Sequence, residues 1–498
     1  MVWLGVRRCG ALFFSLALAG CAADAEPLPQ TVLYVDTDVP VPSFADTLRI
    51  EVVEADGTVS ESRKYVLPNI SDWPVSFGIV PREDFTPTLL RMRLYEASRI
   101  IGRNPAEALL HPGLELDEPL PAFVVDRMVE VRPGAGGARE QLVILHGECM
   151  GVATDFETGS NCIASVLDPA EGARAGVFPL DGPPDPDAPP RAGTWEAARE
   201  RPCTGVPRSE SGLYDEEVCV PGGVFFIGDG RLGVNANPGA AWASIPERLV
   251  RISPFFMDRY EVTVGRINAA VREGFVLPPD EHVPRADMSL CNLTTDGSND
   301  HLPMNCLSKE LAQAFCAFDG GRLLPSEAQW EYAASGRGDE RLYVWGDQPA
   351  TCDDAVYARI GPNMAASFGI YYESSVGRPG ECVSADDGPE AEGSQSVGSV
   401  ARDATKDGIF DLGGNVWEWT RDSFIPLTDA CWAAPYLVDP VCVADGVPFI
   451  ARGGTWSAAA GALPNSLRRG VDRDESRGFV ADSFSGFATG FRCVRADP

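Results

Sequence analysis

A chain of 498 residues with 72 acidic against 41 basic side chains carries a formal charge of −31. That length calls for two or three domains with their own cores, and that charge repels nucleic acid and anionic lipid, so neither is an expected partner. No basic stretch with interleaved aromatics occurs, and beyond the first residues nothing is apolar enough to cross a bilayer.

Residues 1–20 place Arg7 and Arg8 before an apolar run, and Leu18-Ala19-Gly20 leads directly into Cys21. This is the pattern of a bacterial lipoprotein signal peptide, too short to span a membrane. Lipidation of Cys21, at about 0.8 kcal/mol per buried CH2, would tie the chain to the cell envelope. Ala22 without an adjacent Asp points to the outer membrane by analogy with other bacterial lipoproteins. Cys9 would leave with the signal and Cys21 would carry lipid, so twelve of the fourteen cysteines remain. In an exported protein an even set reads as disulfides. Near neighbours suggest Cys149 with Cys162, Cys203 with Cys219, Cys291 with Cys306, Cys352 with Cys382 and Cys431 with Cys442, which leaves Cys316 and Cys493; sequence alone does not fix the connectivity.

Residues 21–30 are small, polar and proline-bearing, as a tether would be. From 31 to 164, short apolar runs alternate with turn residues, as in Leu48, Ile50 and Val52 before Asp56-Gly57. That texture predicts an all-β sandwich. His146 beside Cys149 is better explained by a disulfide than by a metal. Residues 165–214, with Pro183, Pro184, Pro186, Pro189 and Pro190 close together, read as a semi-rigid linker.

The second domain, 215–498, mixes short strands, tight turns and short helices. One helix begins near Thr263, a second is capped by Ser308 and ends at Gly320-Gly321, and a third follows a capping box of Ser326 and Gln329. Residues 407–422, DGIFDLGGNVWEWTRD, carry the most chemistry in the shortest span. Gly413 and Gly414 allow positive φ and a tight turn that would present Asn415, Trp417, Glu418 and Trp419. Oxygens of Asn415, a backbone carbonyl and Glu418 are ligands Ca²⁺ takes. Equally, the tryptophans would be core residues, with Asn415 and Glu418 capping local backbone. Other chemistries lack their signatures. His111, His146, His282 and His301 show no metal-ligand spacing, and no GxSxG elbow, P-loop or dinucleotide fingerprint occurs.

VPGGVFFIG, FFMDRYEVT, GGRLLPSEAQWEYAA, YVWGD, DGIFDLGGNVWEWTRD, ARGGTW and GFRCV follow one another between residues 219 and 495. In this order the motifs resemble the formylglycine-generating enzymes, the sulfatase-modifying factor family. The resemblance implies an α+β domain rich in irregular structure and related in shape to C-type lectins. It implies structural Ca²⁺ on Asn415, the Val416 carbonyl and Glu418, a second calcium near Asp353 or Asp354, and a disulfide between Cys316 and Cys493. A peptide-binding groove would be floored by Trp417, Arg452, Gly453 and Gly454, with Thr455 keeping a hydroxyl beside them. In the family, two cysteines after the RGG motif bind Cu(I) and activate O2 to oxidise a substrate cysteine. Here those positions fall on Ala458 and Leu463, which offer no thiolate for copper. A further family disulfide is also missing, with Ala334 and Arg468 at its expected ends. The expectation is therefore a multidomain envelope lipoprotein whose calcium-stabilised domain binds a peptide, glycan or envelope protein without oxidising it. The alternatives are an oxidase that draws its copper thiols from elsewhere, such as Cys431 and Cys442, and a structural component of the envelope.

Overall fold

The structure, a computed structural model, describes residues 30–80, 86–103, 108–132, 138–155, 160–163, 178–230, 243–278, 291–361, 381–383, 386–434, 436–471 and 488–498. The signal peptide, Cys21 and all of the tether but Gln30 lie outside these residues. Two units make up the chain, one ending at Arg199 and the other running from Glu200 to Pro498.

Among its described residues the first unit is built on seven strands in two sheets. In one, β1 (Gln30–Thr37) lies between antiparallel β4 (Val75–Ile79) and parallel β7 (Ala138–Leu145). In the other, β2 (Thr47–Val53), β3 (Val59–Val66), β5 (Thr88–Tyr95) and β6 (Val125–Val131) run antiparallel in the order β3-β2-β5-β6. Period-two alternation drives this arrangement. Leu33 and Val35 of β1, Leu48 and Ile50 of β2 and Leu90 and Met92 of β5 are all buried. The other face of β2 and β5 carries charge, and it too is covered: Arg49 donates to Glu118 at 2.9 Å, and Arg93 pairs with the same carboxylate.

The proline-rich stretch, expected as a semi-rigid linker, is docked in its described part. Residues 178–199 strap the first unit, where Glu130 donates its backbone N–H to Phe178, Leu142 to Gly182, and Asp181 back to Leu142. Arg127 clamps Asp181 at 2.7 and 3.0 Å. Trp195 is 1% exposed, its indole N–H bonded to Glu148 at 2.9 Å and its ring edge-on to Phe44. Residues 200–214 belong to the second unit through the Cys203–Cys219 disulfide and two backbone N–H groups, of Thr204 and Gly205, on Asp497 at 2.8 Å. Prolines break helices and ladders, but they do not prevent a segment from docking its remaining polar groups and a large aromatic.

Among the described residues the second unit holds ten short strands and three α-helices. β9 (Gly223–Ile227), β10 (Arg248–Ile252) and β13 (Leu437–Val438) form one sheet, and β8 (Glu217–Val220), β11 (Phe255–Asp258) and β17 (Val494–Ala496) another. A third runs β15-β14-β12-β16, from β12 (Trp417–Ser423), β14 (Phe449–Arg452), β15 (Arg469–Val471) and β16 (Thr489–Gly490). Helix α1 (Val264–Arg272) is capped by Thr263, α2 (Lys309–Phe318) by Ser308, and α3 (Glu327–Ala334) by the Ser326 and Gln329 capping box. Such small elements cannot each bury a full face. The unit relies instead on two extensive apolar clusters, one around α1 and α2 and the other around α3, and on buried ion pairs between them.

Candidate functional site

The 407–422 stretch turns because of what surrounds it. Gly413 and Gly414 keep negative or extended φ; the left-handed residues are Gly408 at 84°, Asp411 at 65° and Asn415 at 66°. The glycines are needed for close approach, since a Cβ on Gly414 would lie 2.6 Å from the Val356 carbonyl. The expectation of glycine-mediated positive φ is corrected accordingly. Asn415 is held in this conformation by tertiary bonds from distant segments: its amide donates to Glu261 at 2.6 Å and its oxygen accepts the Gln395 N–H at 3.0 Å. Its carbonyl receives the Trp456 N–H at 2.8 Å and the Thr455 hydroxyl at 3.3 Å, which stitches the turn to the RGG segment.

Glu418 sits on β12 with no exposed surface. Arg492 donates to it through Nη2 at 2.6 Å and through Nε at 2.8 and 2.9 Å, and the Trp330 indole adds a fourth bond at 2.9 Å. Around this pair gather three more buried carboxylates, Glu261, Asp403 and Asp411. Glu261 accepts from the Val416 N–H, Asp403 from the Gly413 N–H and Asp411 from the Gly398 N–H. Burial, then the charge of neighbouring carboxylates, pushes Glu261 and Asp403 well above the usual range, and burial raises Asp411 to about 7. Four acids share one guanidinium, and Asp411 Oδ1 and Asp403 Oδ2 are buried with no hydrogen-bond donor.

That surplus bears on calcium. An all-oxygen, over-acidic cluster suits a hard cation, but the oxygens left over belong to Asp411 and Asp403, while those of Asn415 and Glu418 already have protein donors. Among the described residues no three carboxylate, imidazole or thiolate side chains converge as a metal-binding group. Asp411 was legible as the first acid of DLGG, whereas Glu261, Asp403 and Arg492 come from three other places in the chain. Asp354, considered for a second calcium, caps its own turn through Thr351 at 2.7 Å and pairs with Arg402; Asp353 is exposed.

The RGG segment is interior. Arg452 has no exposed side-chain surface; it pairs with Glu331 and with Glu327 and donates to the carbonyls of Asn465, Ser466 and Leu467. The floor expected from Trp417, Arg452, Gly453, Gly454 and Thr455 is therefore a buried staple at Arg452, with Gly453, Gly454 and Thr455 also buried. Trp417 is 7% exposed and has the Arg469 guanidinium 3.8 Å from its ring centre. Where the two copper cysteines would stand, Ala458 and Leu463 are buried, and Leu463 packs with Ala355, Tyr357 and Ala358 against the stacked pair of Tyr343 and Trp345. The missing disulfide has a polar replacement. Asn465 donates to the Ala334 carbonyl at the end of α3 at 2.9 Å, and Arg468 holds Glu327 at its start at 2.6 and 2.8 Å, so both ends of α3 are fastened to the segment after RGG.

All six suggested disulfides are present, including Cys316–Cys493 and Cys431–Cys442, and they account for every described cysteine.

Residues 202–497 match the sulfatase-modifying factor enzyme 1-like domain. A formylglycine-generating enzyme of Thermomonospora curvata is 26% identical over 325 residues, covering 58% of this chain and 96% of that protein. The Streptomyces coelicolor formylglycine-generating enzyme is 28% identical over 295 residues, 52% of this chain and 83% of its own length. An inactive C-alpha-formylglycine-generating enzyme 2 of Mus musculus is 26% identical over 326 residues, 58% and 89% of the two chains.

Proposed function

Over residues 202–497 this chain belongs to the sulfatase-modifying factor enzyme 1-like family, which includes formylglycine-generating enzymes and an inactive paralogue, and we propose that it is a binding module on that scaffold rather than an oxidase. One observation carries the reading: Ala458 and Leu463, which fall where the family resemblance expects the copper cysteines, are both buried and bring no thiolate, and Leu463 lies inside an apolar cluster. Copper(I) needs soft thiolates. Cys431 and Cys442, one pair an oxidase could have recruited, are joined to each other, as are the other described cysteines in pairs, and this supports the same conclusion.

The ligand class in this proposal is a peptide, glycan or envelope protein, and the chain is held in the bacterial envelope, at the outer membrane, by lipid on Cys21. A structural calcium belongs to the proposal as well. Asp411 and Asp403 offer it buried oxygens without donors, and its contribution would be to neutralise an acid cluster that one arginine leaves in surplus.

The test exposes the natively exported protein to Cu(I), O2 and a Cys-x-Pro-x-Arg peptide, with product read by mass spectrometry. No formylglycine is expected, and turnover above a copper-only control would overturn the reading. The calcium part has its own readout. Adding EGTA should lower the thermal midpoint by several degrees, with recovery on calcium but not magnesium; an unchanged midpoint would remove calcium from the proposal.

A further inference from the structure

Beside the signature turn lies a cavity of about 350 Å³ that the proposed function does not use. Asn292, Asn299, His301, Glu390, Gln395 and Trp456 are among its lining residues. Gln395 connects it to the turn, because its backbone N–H is the donor that holds Asn415. The volume lies within the range of small-molecule sites.

What the walls offer is set by the bonds they have already made. Asn292, 8% exposed, spends both amide hydrogens inward, on the Pro303 carbonyl and the Ser394 hydroxyl, each at 2.8 Å. Asn299 donates to the Asn292 carbonyl at 2.9 Å. The Gln395 amide faces the carbonyls of Glu390, Ala391 and Gly393, each at 3.4 Å. The amide hydrogens of Asn292 and Gln395, and one of Asn299, are thus turned toward the protein. The amide oxygens of these three residues and the carboxylate of Glu390 accept no hydrogen bond among the described residues. Each amide oxygen can take two and a carboxylate about four.

A wall that carries Glu390 and three amide oxygens, without a lysine or arginine among its described residues, favours a ligand rich in donors over an anion. A bare metal ion is a poor match. The space is many times the roughly 10–15 Å³ that even a water needs, and no three metal-binding side chains converge among the described residues. We propose that this cavity binds an organic cation with several N–H donors, an alkylammonium or guanidinium group. Charge-assisted bonds to Glu390 and the amide oxygens would hold it, and the Trp456 indole in the wall belongs to the side chain that best attracts cations. The same chemistry is carried by a free polyamine and by the basic side chain of a peptide. This inference does not depend on whether the domain has lost oxidase activity.

Calorimetric titration of the full exported protein tests it, with spermidine, agmatine and Nα-acetyl-lysine amide as probes and calcium chloride, glucose and phosphate as comparators. One-to-one saturation by an amine or guanidine probe is expected, weakened by added salt and by Glu390→Gln about tenfold or more. Glu390 is exposed, so its variant should fold normally; Gln395→Ala is the second variant and should also weaken binding. Tighter binding of spermidine than of the lysine amide would assign the site to free polyamines, and the reverse to basic peptides. Absence of saturation by every cationic probe at millimolar concentration would overturn the proposal. So would equal affinity of the wild type and Glu390→Gln, or saturation by calcium or glucose alone.

Discussion

Arg452 meets two carboxylates and three backbone carbonyls without reaching water. Its removal would strand Glu331 in the interior, so Arg452→Ala should cost about 3–5 kcal/mol in urea denaturation. A loss below about 1 kcal/mol would show that the guanidinium is dispensable. The surrounding charges also give a pH signature. Glu327, Glu331 and Asp422 face only two fully buried guanidiniums, those of Arg452 and Arg468, with Arg421 beside Asp422. Burial, opposed by Arg452, leaves Glu331 at about 7, and burial together with Glu327 raises Asp422 to about 6. Raised values mean that the folded state prefers the protonated form. Their stabilisation is fully present below the ordinary carboxylate range and is lost as pH rises through about 6 to 7. Asp319 has the opposite sign: burial would raise it, but Arg322, Arg266 and Arg208 outweigh burial and hold it at about 2. Its stabilisation is present above 3.8 and is lost as pH falls through about 2. The thermal midpoint should therefore decline from about pH 5 to pH 8, and a flat profile there would contradict the buried surplus.

At the level of elements, the signature turn and α3 are fastened by different means. The turn depends on backbone approach. Gly414→Ala should cost at least about 2 kcal/mol, because its Cβ would meet the Val356 carbonyl at 2.6 Å. Gly446→Ala is the control: its φ is positive but nothing lies within 4 Å of the added Cβ, so about 1 kcal/mol of backbone strain is expected. Equal losses for the two variants would mean that crowding does not govern the turn. α3 is fastened by Asn465 and Arg468 in place of a covalent link. Serine and glutamine at its start were readable three residues apart, but the partners of Glu327 were not, because Arg468 lies 141 residues away.

For the molecule as a whole, disulfides compensate for short elements. Cys316–Cys493 closes a loop of 177 residues, whereas Cys431–Cys442 spans 11. In the chain-entropy account the long loop is worth about 5 kcal/mol and the short one about 3 kcal/mol. Replacing the first pair by alanines should therefore destabilise the second unit more than replacing the other, as read by urea midpoints. The reverse order would assign their effect to local packing. Alkylation of the unfolded but unreduced protein should label none of the twelve described cysteines.

Much of this protein is determined locally. Capping residues place the three helices, alternation places the strands of the first unit, and the ordered motifs identify the family of the second, because each depends on neighbours within a few residues. Cysteine spacing anticipated the bridges for the same reason: most partners lie close in sequence. Tertiary structure decided the rest. Arg452 became a buried staple instead of a groove residue, and the proline-rich stretch became a strap. The acid cluster formed from Glu261, Asp403, Asp411 and Glu418 around a single arginine near the end of the chain. Burial and charge pairing depend on which distant segments meet, and neither composition nor periodicity specifies those meetings.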